Sequence, residues 1–151
     1  MANRTSKQSS RKKSVQRINS RSKGAAGERE FIQLIKDYLG DDSNIKRNLE
    51  QTRSGGYDIE GVEGWAIEIK RYAVVREGNI KDWWQQTTDQ AVASERKPAL
   101  AYRQDHGSWK VKIPLGMLNG MFKGNELEWT TDMSVEAWCC IVREGYSSVL
   151  G

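Results

Sequence analysis

The chain has 151 residues, with 24 Lys or Arg against 20 Asp or Glu, for a net charge of +4. That length accommodates one domain with a hydrophobic core and little more. No apolar run approaches the ~20 residues of a membrane-spanning helix, and the basic N-terminus lacks the apolar stretch of a secretion signal, so a soluble, intracellular protein is expected.

Charge is unevenly placed. Residues 1–23 contain Arg4, Lys7, Arg11, Lys12, Lys13, Arg17, Arg21 and Lys23 and no acid. The remaining residues hold 16 basic and 20 acidic side chains, so the positive excess belongs to this segment. Rich in Ser, Asn, Gln, Lys and Arg, it cannot bury enough apolar surface to offset the entropy of ordering, and is read as a disordered basic arm preceding a domain over 24–151. Such an arm gains affinity for nucleic acid by releasing phosphate counterions, without reading sequence. A solubilising or targeting tail, or an ordered extension in an oligomer, is the plainer alternative.

From Gly24 the pattern turns helical. Phe31, Ile32, Ile35 and Leu39 recur at helical spacing and Gly40 supplies a stop. Glu28, three before Phe31 and seven before Ile35, falls on the apolar face, whereas Glu30 falls further round and reads as solvated. Residues 44–49 form a plausible strand, followed by a polar loop ending in Gly55-Gly56. Residues 57–60 and 65–70 are short strands whose glycine-bounded connection suits a hairpin. Asn79 can cap a second helix running to about Ser94 and ending before Pro98. Residues 99–103 and 109–113 are further strands around a turn at His106, and Ser134 can cap a last helix to about Arg143. This order implies an α/β fold, a central mixed sheet of about five strands flanked by helices. Cys139 and Cys140, neighbours in an apolar run, read as reduced and at least partly buried thiols. Of the six tryptophans, Trp83 and Trp84 are adjacent on a helix, and one of them is expected to face a partner subunit or DNA.

Asp58 lies on one short strand, and Glu68-Ile69-Lys70 follows ten residues later on the next. Alternation puts Glu68 and Lys70 on one side and Ile67 and Ile69 on the other, and a hairpin brings Asp58 beside them. Two close carboxylates suit a hard cation such as Mg²⁺, and an adjacent ammonium can orient or help deprotonate a water on it. Taken bare, the spacing is common and equally describes solvated strand residues. The apolar Trp65, Ala66, Ile67 and Ile69 make the strand read as central, where a charged pair needs a reason.

The segments Lys23-Gly24-Ala25-Ala26-Gly27-Glu28-Arg29-Glu30, Arg53 to Ile59, and Ala66 to Arg71 together resemble the restriction-endonuclease-like PD-(D/E)xK nucleases, and within them the archaeal and phage Holliday junction resolvases. Tyr57 stands where the superfamily name has proline, which resolvases often lack. The resemblance implies catalytic residues Glu28, Asp58, Glu68 and Lys70, with Asp58 and Glu68 as principal metal ligands, Glu28 completing the site and Lys70 acting on the attacking water. It implies Mg²⁺ as cofactor, with Mn²⁺ able to substitute. Arg29, Arg53, Ser54 and Arg71 become candidates for DNA backbone contacts, and a glutamine of the second helix supports the site, without a choice among Gln85, Gln86 and Gln90.

The function expected is thus a metal-dependent endonuclease selective for branched DNA, a Holliday junction resolvase working as a C2 homodimer in the cytoplasm, the host's if phage-encoded. Alternatives are a nuclease of the same fold on other recombination, repair or restriction substrates, or an inactive DNA-binding protein. Retention of all four motif residues argues against the last.

Overall fold

The computed structural model describes residues 24–40, 44–50 and 56–145. The basic segment 1–23 and the candidate contacts Arg53 and Ser54 lie outside the described residues. Helix α1 covers residues 24–39 and stops at Gly40, whose φ is +102° and whose N–H returns to the Lys36 carbonyl. Its stripe of Phe31, Ile32 and Ile35 is buried, as the spacing predicts.

Strand β1 (Lys46–Arg47) pairs antiparallel with β2 (Ile59–Glu60) as a separate two-stranded sheet. Strand β3 (Trp65–Tyr72), helix α2 (Glu77–Ser94) and strand β4 (Lys97–Gln104) form a βαβ unit, with β3 and β4 parallel. Strands β5 (Lys110–Pro114) and β6 (Thr130–Met133) add antiparallel partners, giving a mixed sheet in the order β3-β4-β5-β6. Helix α3 (Val135–Glu144) follows, capped by the Ser134 hydroxyl, which accepts from the Ala137 N–H at 3.1 Å. Two apolar clusters cover the sheet. Ile67, Ile69, Ala99, Ala101, Val111 and Ile113 pack with Phe31, Ile35 and Trp138. Leu100 and Tyr102 pack with Trp83 and Trp84 of α2. The α/β class and the mixed sheet between helices therefore stand as the sequence implies, and among the described residues no helix is long and apolar enough to cross a membrane.

Several local expectations change. The turn between β2 and β3 does not close a two-stranded ladder; β2 ladders with β1, and meets β3 through one backbone bond, Asp58 N–H to the Ile67 carbonyl at 2.8 Å. Strand β3 is accordingly the edge of the four-stranded sheet, although Trp65 to Ile69 are all buried beneath their neighbours. Strand β6, Thr-Thr-Asp-Met, carries no apolar alternation and is held by its pairing with β5. Asn79 caps α2 from inside its first turn, accepting the Arg76 N–H at 3.0 Å. Both adjacent tryptophans are buried in one cluster, because Leu127 packs there too and the Trp84 indole donates to the Asn125 carbonyl at 2.6 Å. The polypeptide after β5 thus covers a helix face that α2 alone would leave open. Cys139 is buried, its thiol pushed up to about 11 by desolvation, so it is no nucleophile at neutral pH.

Candidate active site

Asp58 precedes β2 and is only 6 % exposed. Its carbonyl accepts the Asn48 N–H, its N–H reaches Ile67, and its carboxylate Oδ2 accepts the Ile69 N–H at 2.7 Å. The side chain thus occupies the place of a strand carbonyl on the edge of β3, so β2 need not continue alongside. An open cleft of about 400 Å³ lies here, walled by Glu28, Asp58, Glu68, Lys70, Arg71 and Tyr72 among others.

Alternation along β3 then places the remaining groups. Ile67 and Ile69 enter the core beside α1, and Glu68 and Lys70 take the opposite side, facing α2. Glu68 is 3 % exposed. Its Oε1 accepts from Lys70 Nζ at 3.2 Å and from Gln86 Nε2 at 3.0 Å, whereas Oε2 is buried with no hydrogen-bond partner. Gln90, one turn further along α2, also favours the charged carboxylate, and Gln85 instead donates to Asp89 on the exposed face. Of the three glutamines left open by the sequence, Gln86 and Gln90 address the site.

Burial pushes both carboxyls up. Asp58 rises to about 8, first through desolvation, then through the negative Glu68 and Glu28, against the opposing Ile69 N–H and Lys70. Glu68 also rises, desolvation outweighing Lys70 and the hydrogen bonds. One ammonium therefore does not satisfy two buried carboxylates, one of which has an orphaned oxygen.

A hard dication fits this donor set. Mg²⁺ takes oxygen ligands and is commonly held by one or two carboxylates while keeping several waters. Among the described residues no three His, Cys, Asp or Glu side chains converge as a metal cluster. Glu28 lines the same cleft, but its Oε2 is engaged by Arg47 Nε at 2.5 Å.

The candidate DNA contacts divide. Arg71 walls the cleft, while Arg29 is exposed on α1 and outside its lining. Arg71 is held by Glu30, which is no solvated residue: its carboxylate accepts Arg71 Nη1 at 2.9 Å and Trp109 Nε1 at 2.8 Å and pairs with Arg103. Asp105 approaches Arg71 Nε at 3.7 Å. Gly27 admits this crossing of α1 over β3, since a Cβ there would stand 2.9 Å from that of Arg71. Arg47 and the Glu30 hub escape sequence reading because their partners lie 19 to 79 positions away and no periodicity links them.

Residues 19–136 match the family described as "Phage putative PDDEXK endonuclease". Among solved structures, Hjc of Archaeoglobus fulgidus, a Holliday junction resolvase from an archaeal hyperthermophile, is 16% identical with a TM-score of 0.38, over 70% of this chain and 85% of that one. None of the curated proteins compared matches.

Proposed function

From the premise that the chain belongs to the phage PDDEXK endonuclease family and is a nuclease with its restriction-endonuclease-like α/β fold, we propose that it is a Mg²⁺-dependent endonuclease of branched DNA, a Holliday junction resolvase. The observation that carries the reading is the buried pair Asp58 and Glu68, raised by desolvation and incompletely satisfied, beside Lys70 in an open cleft. These two carboxylates would hold the cation, with Glu28 as a third donor. When bound, Mg²⁺, or Mn²⁺ in its place, acidifies an attacking water and neutralises charge on the phosphodiester.

The protein's own groups do the rest. Lys70 stands 3.2 Å from Glu68 Oε1 and orients the attacking water in the cleft. Gln86, fixed on α2, keeps the Glu68 carboxylate in one rotamer. Arg71, braced by Glu30, contacts a phosphate flanking the scissile one. Displacement in line with the leaving 3′-oxygen gives a 5′-phosphate and a 3′-hydroxyl. The basic segment 1–23 adds contacts that do not depend on sequence, and a C2 homodimer supplies the second site needed to cut a junction symmetrically.

The test is cleavage of synthetic four-way junctions, flaps and linear duplex with Mg²⁺ by the full chain and Asp58→Ala. Junctions are expected to be cut preferentially by the wild type, and the variant to lose at least about a hundredfold, the scale for removing one group that stabilises transition-state charge. Equal cutting of every substrate would remove the resolvase assignment, and undiminished cutting by the variant would remove the site.

A further inference from the structure

The three carboxylates of the cleft are not equally free. Asp58 is tied to a backbone N–H and Glu68 to Lys70 and Gln86, and Glu68 Oε2 is buried with no hydrogen-bond partner. Glu28 is instead committed to a guanidinium, Arg47 Nε, at 2.5 Å, with both side chains largely withdrawn from water at 13 % and 28 % exposure. Arg47 is itself anchored to β2, the strand that follows Asp58. It pairs with Ile59, and the next residue, Asn48, bonds through its N–H to the Asp58 carbonyl and through its side chain to the Tyr57 carbonyl. The ion pair therefore bridges the two elements that bring Glu28 and Asp58 to one place. Glu28 is near enough that its charge disfavours ionisation of both other carboxyls, yet the three do not converge as a metal cluster.

A guanidinium that grips a carboxylate has a second natural ligand, because its donor fork fits a phosphate equally well. Resting on the nuclease reading of this cleft, which brings a phosphodiester to it, we propose that Arg47 is a substrate-responsive positioning residue. It holds Glu28 away from the cation while the cleft is empty, and transfers to a DNA phosphate when substrate enters, freeing Glu28 to join Asp58 and Glu68. The cation then binds weakly before DNA and tightly with it. By linkage, DNA binds more tightly in the presence of cation by the same factor.

The test measures cation binding rather than turnover. Ca²⁺, an oxygen-ligand dication larger and less geometrically demanding than Mg²⁺, is titrated calorimetrically into the full chain without DNA and with a synthetic four-way junction, whose integrity is checked on a denaturing gel. Arg47→Gln is expected to bind Ca²⁺ about tenfold more tightly than wild type without DNA, a typical coupling magnitude. Lys46→Gln controls for bulk charge, since it removes a neighbouring cation that is 73 % exposed and pairs with Glu60 rather than Glu28; it is expected to change affinity less than about twofold. The junction should tighten Ca²⁺ binding about tenfold in wild type and not in Arg47→Gln. Arg47→Lys, which keeps the charge but not the fork, should fall between them and serves in place of a Gln variant that fails to fold, circular dichroism deciding which is used. Binding by Arg47→Gln no tighter than by wild type or Lys46→Gln, or equal DNA coupling in all, overturns the proposal. Unchanged binding by Asp58→Ala, or none by any form, overturns instead the underlying metal site.

Discussion

Asp58 has two partners that cannot both be fully satisfied by protein alone: the Ile69 N–H, which wants an acceptor, and a neighbouring carboxylate, which wants no second negative charge. Its proton is therefore bound more tightly in the folded chain than in the unfolded one, at about 8 rather than 3.8. A raised folded-state value stabilises the protein fully below about pH 3.8, and that contribution is lost as the pH rises through about 8. Without divalent cation, the melting temperature of the wild type is expected to fall between pH 5 and 8.5 relative to Asp58→Asn, which keeps an acceptor for Ile69 and cannot ionise. Thermal melts in EDTA check this, and parallel curves for the two proteins would contradict it. A cation held by Asp58 would compete with the same proton, so Mg²⁺ should flatten the wild-type curve. That Asp58, Glu68 and Lys70 line one cleft is legible in sequence because strand alternation and a short connection are local rules, although the hairpin ladder expected to join them does not form. Glu28 is legible through helical spacing, but its ion pair with Arg47 is not, and Glu30 reads wrongly as solvated since Arg71, Arg103 and Trp109 reach it only through the tertiary fold.

At the scale of elements, the site depends on how β2 leaves β3. Gly61 and Gly64, between them, both have positive φ, +97° and +81°. They differ in space: a Cβ on Gly61 would stand 2.3 Å from the Asn44 carbonyl oxygen, whereas one on Gly64 meets nothing within 4 Å. Gly64→Ala is expected to cost only the backbone strain of about 1–2 kcal/mol. Gly61→Ala should cost clearly more, because the segment leading into β1 must also shift, and with it Asp58 through Asn48. Urea midpoints compare the two, and equal losses would show that the close approach carries no weight. The types of the longer elements were readable from periodicity and caps. The polar β6 and the burial of both Trp83 and Trp84 were not, since one depends on a neighbouring strand and the other on the segment that supplies Asn125 and Leu127.

At the scale of the whole molecule, charge is divided along the chain. The segment 1–23 carries eight basic residues and no acid, and the remainder is net negative. Deleting residues 1–22 is expected to weaken DNA binding and make its salt dependence shallower by about 0.9 for each phosphate the segment neutralises, while Mg²⁺ binding is unaffected; fluorescence anisotropy across a salt series measures it, and an unchanged slope would show that the segment does not touch phosphate. We propose that the buried carboxylate pair Asp58 and Glu68 holds the Mg²⁺ on which cleavage depends. It is tested most directly by single-turnover cleavage, on whichever DNA form is cut fastest, as a function of Mg²⁺ for the wild type and Glu68→Gln. The wild type should show saturable Mg²⁺ dependence and no cutting in EDTA, and Glu68→Gln should fall at least about a hundredfold at every concentration. Cleavage that persists in EDTA, or that Glu68→Gln leaves intact, would contradict it.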